Sequence, residues 1–429
     1  MNQRRKIFQL ALPAMVENLL QMLMGVVDNY LVAQVSLVAI SGVSVANNIV
    51  TIYQAIFIAL GAAISSLIAK SRGEKNNEKI RRFQSEALVI TVVLSVFLGL
   101  LSLFFGKNML SLLGTQVDVA QAGGLYLAIV GGLILSLGLM TTFGAFLRAS
   151  GKPRLPMYIS FWSNVLNAIL SAVSIFVFNW GVAGVAMATV LSRFIGVALL
   201  ATQLPISSIL RNVRLKISRD LLTIALPTAA ERLMMRAGDV VIVAIIVRFG
   251  TEAVAGNAIG ETLTQFNYMP GMSVATATVI LVAHNIGEGN KKEARQIVKD
   301  SYLISLVMMV SMGALVYFFG SHLTYLFTTD TLALQASLVV LFYSFIGGPA
   351  TAGTLIYTAA WQALGNAKLP FYATTFGMWV IRIILGYLLS VEFHLGLAGV
   401  WLATLADNVF RWAFLYYKYR KHMEIHLEE

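Results

Sequence analysis

Between Ala87 and Gly106 the chain runs through twenty residues without a charged side chain, and runs of this kind recur from one end to the other. A helix of about 20 apolar residues crosses the hydrocarbon of a bilayer, so each run reads as a membrane span. Over 429 residues, 58% are hydrophobic and only 12% charged, with a mean hydropathy of +0.77, which leaves no room for a polar domain between runs. The expected class is an all-α polytopic membrane protein. Twelve spans follow, at roughly 7–34, 43–69, 85–105, 120–147, 156–178, 183–204, 220–247, 257–283, 300–319, 333–363, 370–391 and 396–417. The basic N-terminus has no small-residue cleavage site and reads as part of a retained first span. Cysteine is absent, which removes disulfides and thiolate chemistry.

Charge sets the topology. Lys and Arg number 24 in the loops and termini of one side, against two, Lys107 and Arg248, on the other. The positive-inside rule then places both termini in the cytoplasm of a multi-pass plasma-membrane protein, the inner membrane of a bacterial cell. The net charge of +11 is thus a membrane signal, with lipids as partners and no nucleic acid.

Sliding the sequence by 214 residues lays one half on the other. Pro13 and Glu17 meet Pro227 and Glu231, and "FFG" at 104–106 meets "FFG" at 318–320. "GVAGVAMAT" at 181–189 meets "GLAGVWLAT" at 396–404 after a one-residue slip. Six spans per repeat is an even number, so the repeats are parallel, an arrangement that belongs to alternating-access transporters. The expected domains are an N-lobe at 1–204, a cytoplasmic linker at 205–219, and a C-lobe with its cytoplasmic tail at 220–429.

Ionisable groups at bilayer depth are costly unless they face protein or water, so those inside the spans are the candidate site. Glu17 and Asp28 share one face of the first span with Gln21 between them. At 1.5 Å per residue they stand roughly 16 Å apart, too far to share one ion. Neither has a basic neighbour on its own helix after Lys6. They read as exchangeable sites for a proton, Na⁺ or a cationic substrate, and competition among these is the simplest antiport. For Asp28 the alternative is a helix-packing hydrogen bond or pairing with an arginine of another helix such as Arg236. Asn164 and Asn167, with Asn47 and Gln21, complete an oxygen-rich shell for Na⁺ or simply bond between helices. Glu231 and Glu261 are further coupling candidates, the latter at the repeat position of Asn47. Arg382, Asp407 and Arg411 read as a structural charge network, with Asp407 and Arg411 spaced i,i+4, and Arg236 with Asp239 as an i,i+3 pair. Met15, Met22, Met24, Met234, Met235, Met269 and Met272 suit a pliable apolar pocket and equally suit ordinary span filling. Pro270 and "GGP" at 347–349 are expected to bend their helices.

The stretches "LPAMVENLLQMLMGVVDNYLVAQ", "AKSRGEKN", "FLRASGKPRLP", "NVLNAILSAVSIFVFNWGVAGVAMAT" and "VIRIILGYLL…GLAGVWLAT" follow one another in an order that resembles the multidrug and toxin extrusion (MATE) family over essentially the whole chain. The resemblance implies a monomeric antiporter that expels small organic, often cationic and amphipathic compounds in exchange for H⁺ or Na⁺, with no cofactor. It also implies an ion-binding Asp in the first span, which Asp28 matches. Some members add an Asp in the fifth span; here that stretch reaches Ser171 instead. Other members carry an Asp in the tenth span, and this chain has no carboxylate between Asp330 and Glu392. The coupling ion stays open between H⁺ and Na⁺.

Other classes fit less well. The five histidines form no ligand-spaced group within a span and no Walker sequence is present, which argues against an enzyme or an ATP-driven pump. The major facilitator superfamily shares two parallel six-helix halves, but its 2–3 loop carries an Asp that "AKSRGEKNNEKIRR" lacks. A flippase of lipid-linked precursors, from the related superfamily, is the nearer alternative. A channel is distinguished by single-channel current.

Overall fold

The computed structural model describes residues 3–213 and 215–425. Every regular element among them is helical. The first half contains α1 (Gln3–Ala33), α2 (Leu37–Gly73), α3 (Asn77–Leu112), α4 (Val117–Tyr126), a π-helical stretch (Leu127–Gly131), α5 (Leu135–Ala149), α6 (Arg154–Phe176), α7 (Gly181–Thr202) and the short α8 (Ile206–Arg211). The second contains α9 (Arg219–Ile246), α10 (Thr251–Gly287), α11 (Lys291–Phe318), the short α12 (Gly320–Tyr325), α13 (Thr331–Ile346), α14 (Gly348–Ala363), α15 (Lys368–Phe376) and α16 (Leu397–Ile425). Two π-helical stretches, Gly377–Leu385 and Leu388–Glu392, continue α15.

Eight of these helical segments are long and apolar enough to cross a membrane alone, and two bent pairs qualify as single spans. The helices α9 and α16 have the length but carry charged side chains in their middles, which lowers their apolarity. Together these make the twelve segments of the sequence reading. The pair α13–α14 bends by 57° at Gly347, where "GGP" stands. The pair α4–α5 bends by 45° after Gly131, a joint the sequence reading did not anticipate. At Pro270, where a bend is expected, α10 runs on without interruption as one helix from Thr251 to Gly287. Ser273 donates its hydroxyl to the Met269 carbonyl next to it, whereas the carbonyl that the proline leaves without its amide donor is that of Phe266.

Several helices start earlier than their apolar runs because polar caps lie outside them. Ser36 accepts from the Ala39 amide at the start of α2, and Asn76 accepts from the Lys79 amide at the start of α3, each at 3.0 Å. Asn290, the repeat partner of Asn76, caps α11 through the Glu293 amide at 3.1 Å. Side-chain oxygens of this kind satisfy amides that the helix itself leaves unbonded.

The chain divides into two compact units, Val16–Leu221 and, separately, Leu222 onward together with the chain up to Met15. In the first, Phe57, Phe146, Leu127 and Ile134 are fully buried in the core. Its helices α2 and α4 touch backbone to backbone: a methyl on Gly42 would lie 2.5 Å from the Gly123 nitrogen. In the second unit Gly256, the repeat partner of Gly42, presses against the Ala333 carbonyl in the same way. The start of α1 packs with the second unit, where Arg4 meets Asp300 at 3.3 Å and Lys6 meets Glu293 at 3.4 Å. At the other end of the first unit, Ser218 donates both its amide and its hydroxyl to Glu86, at 3.0 and 2.6 Å. Ser218 and Glu86 are the repeat partners of Arg4 and Asp300.

Candidate functional site

In the first unit, Asp28 sits in the last third of α1 and faces Asn167 of α6. The Asn167 amide nitrogen donates to both carboxylate oxygens at 3.2 Å, and its own oxygen accepts from the Ser171 hydroxyl at 3.3 Å. Asn167 and Ser171 are buried. Among the described residues no cation lies within 4.0 Å of Asp28. Arg193 of α7 and Tyr126 of α4 stand close enough to act on it electrostatically. The buried Nη1 of Arg193 and the buried amide nitrogen of Asn164 have no hydrogen-bond partner among the described residues. Asp28 is thus held by one amide nitrogen, with a cation near it that is not a direct partner.

Glu17 has a different setting. It accepts from Arg148 Nη1 at 3.1 Å and from the Ser160 hydroxyl at 3.3 Å. Sequence reading put Arg148 in a basic loop and gave Glu17 no cation; the guanidinium instead folds back from the last turn of α5. Gln21 is exposed and Asn47 half-buried, and no hydrogen bond joins either to Asp28.

In the second unit, Asp407 is fully buried between two arginines. Arg382 Nη2 approaches to 2.7 Å, and Arg411 makes a two-pronged contact at 2.9 and 3.0 Å. The π-helical stretch holds Arg382, and its first residue, Gly377, lies so close to Asp407 that a Cβ would overlap the carboxylate. Asp239 stands 4.0 Å from both Arg236 and Arg382, at the outer limit of an ion pair. Glu231 is buried and accepts from the Thr374 hydroxyl at 2.9 Å. Glu261 is exposed and bonded by Asn257, which also accepts from the Trp401 indole at 2.9 Å.

The contacts at Glu17 and Glu231 follow the repeat. Ser160 and Thr374 stand 214 residues apart, as do the two acids they serve. Hydroxyls at matching offsets were the sequence signal for these partners. For Arg148, Arg193 and Tyr126 no such signal exists, since their repeat positions hold Gln362, Asn408 and Val340. Among the described residues no group of three or more His, Asp or Glu side chains is placed to hold a metal. A proton or a single monovalent cation suits the one carboxylate and amide of the Asp28 site.

Comparison with known proteins agrees with this architecture. The MatE family model matches residues 13–173 and again 227–388, the second match starting 214 residues after the first. The chain is 28% identical over 423 residues to the "Probable multidrug resistance protein NorM" of Thermotoga maritima, covering 95% of this chain and 90% of that one. It is 24% identical over 412 residues to the "Multidrug export protein MepA" of Staphylococcus aureus, covering 93% and 90%. A crystal structure of a MATE protein in complex with MaL6 superposes with a TM-score of 0.92 at 20% identity, over 100% of this chain and 98% of that chain.

Proposed function

Since the chain belongs to the MatE family, whose model matches both of its halves, we propose that it is a secondary active exporter of small organic, often cationic compounds, exchanging them for H⁺ or Na⁺ by alternating access. The names of its multidrug-resistance relatives support the substrate class. The basic loops support cytoplasmic termini in the plasma membrane. The observation that carries the exchange is the contrast in acid partners: Asp28 rests on an amide with no ion pair, whereas Asp407 is neutralised twice over.

The mechanism turns on Asn167. With its amide nitrogen toward Asp28 it stabilises the bare carboxylate. Turned about its last torsion, it presents an oxygen, and carboxylate and amide oxygen then face one Na⁺. Ser171 accommodates either orientation, because a hydroxyl both donates and accepts. A proton instead makes Asp28 neutral and lets the amide oxygen accept from it. Either event cancels the charge that would hold a cationic substrate. Glu17, with Gln21 on its stripe, and Glu231 extend the coupling path, and Asn164, Asn47 and Glu261 tune the polarity around it. Arg382, Asp407, Arg411, Arg236 and Asp239 hold the second unit together.

Efflux of ethidium from cells or inverted vesicles, under an imposed Na⁺ or pH gradient, tests this. Export driven by one gradient in the parent and abolished in Asp28→Asn, with membrane insertion intact, is the expected result and identifies the ion. Export unchanged in Asp28→Asn removes that acid from coupling. Absence of export for every cation tried favours a lipid-linked precursor as the cargo.

A further inference from the structure

Where α3 begins and α5 and α7 end, the first unit contains a cavity of 260 Å³ that none of the transport residues enters. Arg81 and Lys152 line it, together with Asn77, Gln84, Leu147 and Leu204, and no Asp or Glu takes part in the lining. Neither Arg81 nor Lys152 has an ion-pair partner among the described residues. Arg72 lays its guanidinium against Gly151, next to Lys152, and adds a third positive charge. Gln84, only 4% exposed, adds its amide to the lining. Asn77 is the first residue of α3, whose N-terminal amides point toward negative charge.

The second repeat shows what such a place looks like when nothing needs to enter it. The counterparts of Gln84 and Leu147 are Val298 and Trp361, and on the slipped register Leu204 becomes Tyr419. The Tyr419 ring is 4% exposed and packs edge-on against Trp361, with centroids 6.3 Å apart. Tyr419 can reach this position because α16 continues to Ile425, whereas α7 stops at Thr202. The counterpart of Lys152 is Asn366, while Arg81 meets Arg295 and Asn77 meets Lys291, so the second repeat keeps basic side chains here but fills the space between them with rings.

We propose that this cavity binds a phosphate group carried on a small headgroup, the chemistry shared by acidic glycerophospholipids and free phosphate anions. Arg81 and Lys152 hold the phosphate from opposite walls, Gln84 and Asn77 donate to its oxygens or to a headgroup hydroxyl, and Leu147 and Leu204 back the apolar side. The volume lies below the roughly 300–1,000 Å³ of drug-sized ligand sites, which suits a headgroup and excludes a whole lipid. Basic pockets at the ends of membrane helices are where acidic headgroups dock. The site is independent of the transport reading, since it shares no residue with the Asp28 or Asp407 clusters.

Native mass spectrometry of the purified protein, offered phosphatidylglycerol or phosphatidylcholine, tests the lipid source. Melting in phosphatidylcholine with and without millimolar inorganic phosphate tests the soluble source. The expected result is selective retention of one phosphatidylglycerol, weakened about thirtyfold in the double variant Arg81→Ala/Lys152→Ala by the loss of two basic contacts. Leu204→Tyr, which fills the cavity as Tyr419 does, should abolish retention while leaving the melting temperature in phosphatidylcholine alone unchanged. A phosphate-induced rise in melting temperature that disappears in the same variants assigns the site to a free anion. If both variants keep phosphatidylglycerol as the parent does, and phosphate produces no variant-sensitive shift, the site does not exist.

Discussion

Where the first unit sets Asp28 against Asn167, the second has Ile242 and Ile381 at the repeat positions; where the second sets Asp407 between Arg382 and Arg411, the first has Ser192, Ala168 and Gly196. Among the candidate-site acids, Glu17 with Ser160 and Glu231 with Thr374 are the pair that keeps its partner in both halves. Duplication thus supplied one frame, and each half placed its buried charge where the other kept small or apolar residues. The two acids also differ in their neutralisation. Asp407 receives both arginines as direct partners, so its own charge is fully met. Asp28 receives hydrogen bonds from a neutral amide and leaves Arg193 standing off. An acid with its counter-ions in place fixes a structure, while one without them suits the exchange proposed for Asp28.

The contrast is broken or sharpened by substitution. Asp407→Asn leaves two arginines in the interior without a carboxylate, which costs about 3–5 kcal/mol. Its expected outcome is loss of folded protein in detergent, read by size-exclusion melting. Asp28→Asn keeps an amide-sized group among polar neighbours, so stability should change by less than about 1 kcal/mol while gradient-driven efflux falls to background. Equal destabilisation by the two substitutions would erase the distinction drawn between the units. Glu17→Gln should cost about 1–2 kcal/mol, since Arg148 is only partly buried and recovers some hydration. In a double-mutant cycle with Arg148→Gln, a coupling near zero would show that the pair does not operate. Arg4→Ala removes a contact whose arginine is 56% exposed, and a loss below about 1 kcal/mol is expected in the same melting assay.

Local features were the most legible in the sequence. The apolar runs located the twelve segments, and the 214-residue offset located the frame. The i,i+4 pair of Asp407 and Arg411 lies on one helix, so spacing alone brings it together. Contacts between helices were less accessible. Arg148 reaches Glu17 across 131 residues, and whether it does so depends on how α5 is rotated, which a hydrophobic run leaves undetermined. Thr374 and Ser160 became readable only by comparing one half with the other. The π-helical turns around Arg382 also escaped notice, since no local run of residues marks them; they begin at Gly377, where the helix comes close to Asp407. Gly131 and Gly132 did carry a signal for the bend between α4 and α5, the same kind of small-residue pair that marked Gly347 and Gly348.

The attachment of the start of α1 to the second unit has a consequence for how the protein is made. Arg4 is joined to Asp300 across 296 residues, and at synthesis rates of about 5–20 residues per second its partner emerges roughly 15–60 s later. Through that interval the start of α1 lacks its eventual neighbours, whereas the other unit, Val16–Leu221, is complete before Asp300 emerges. The start of α1 therefore docks only after the helices that follow it, α2 to α7, have all been made.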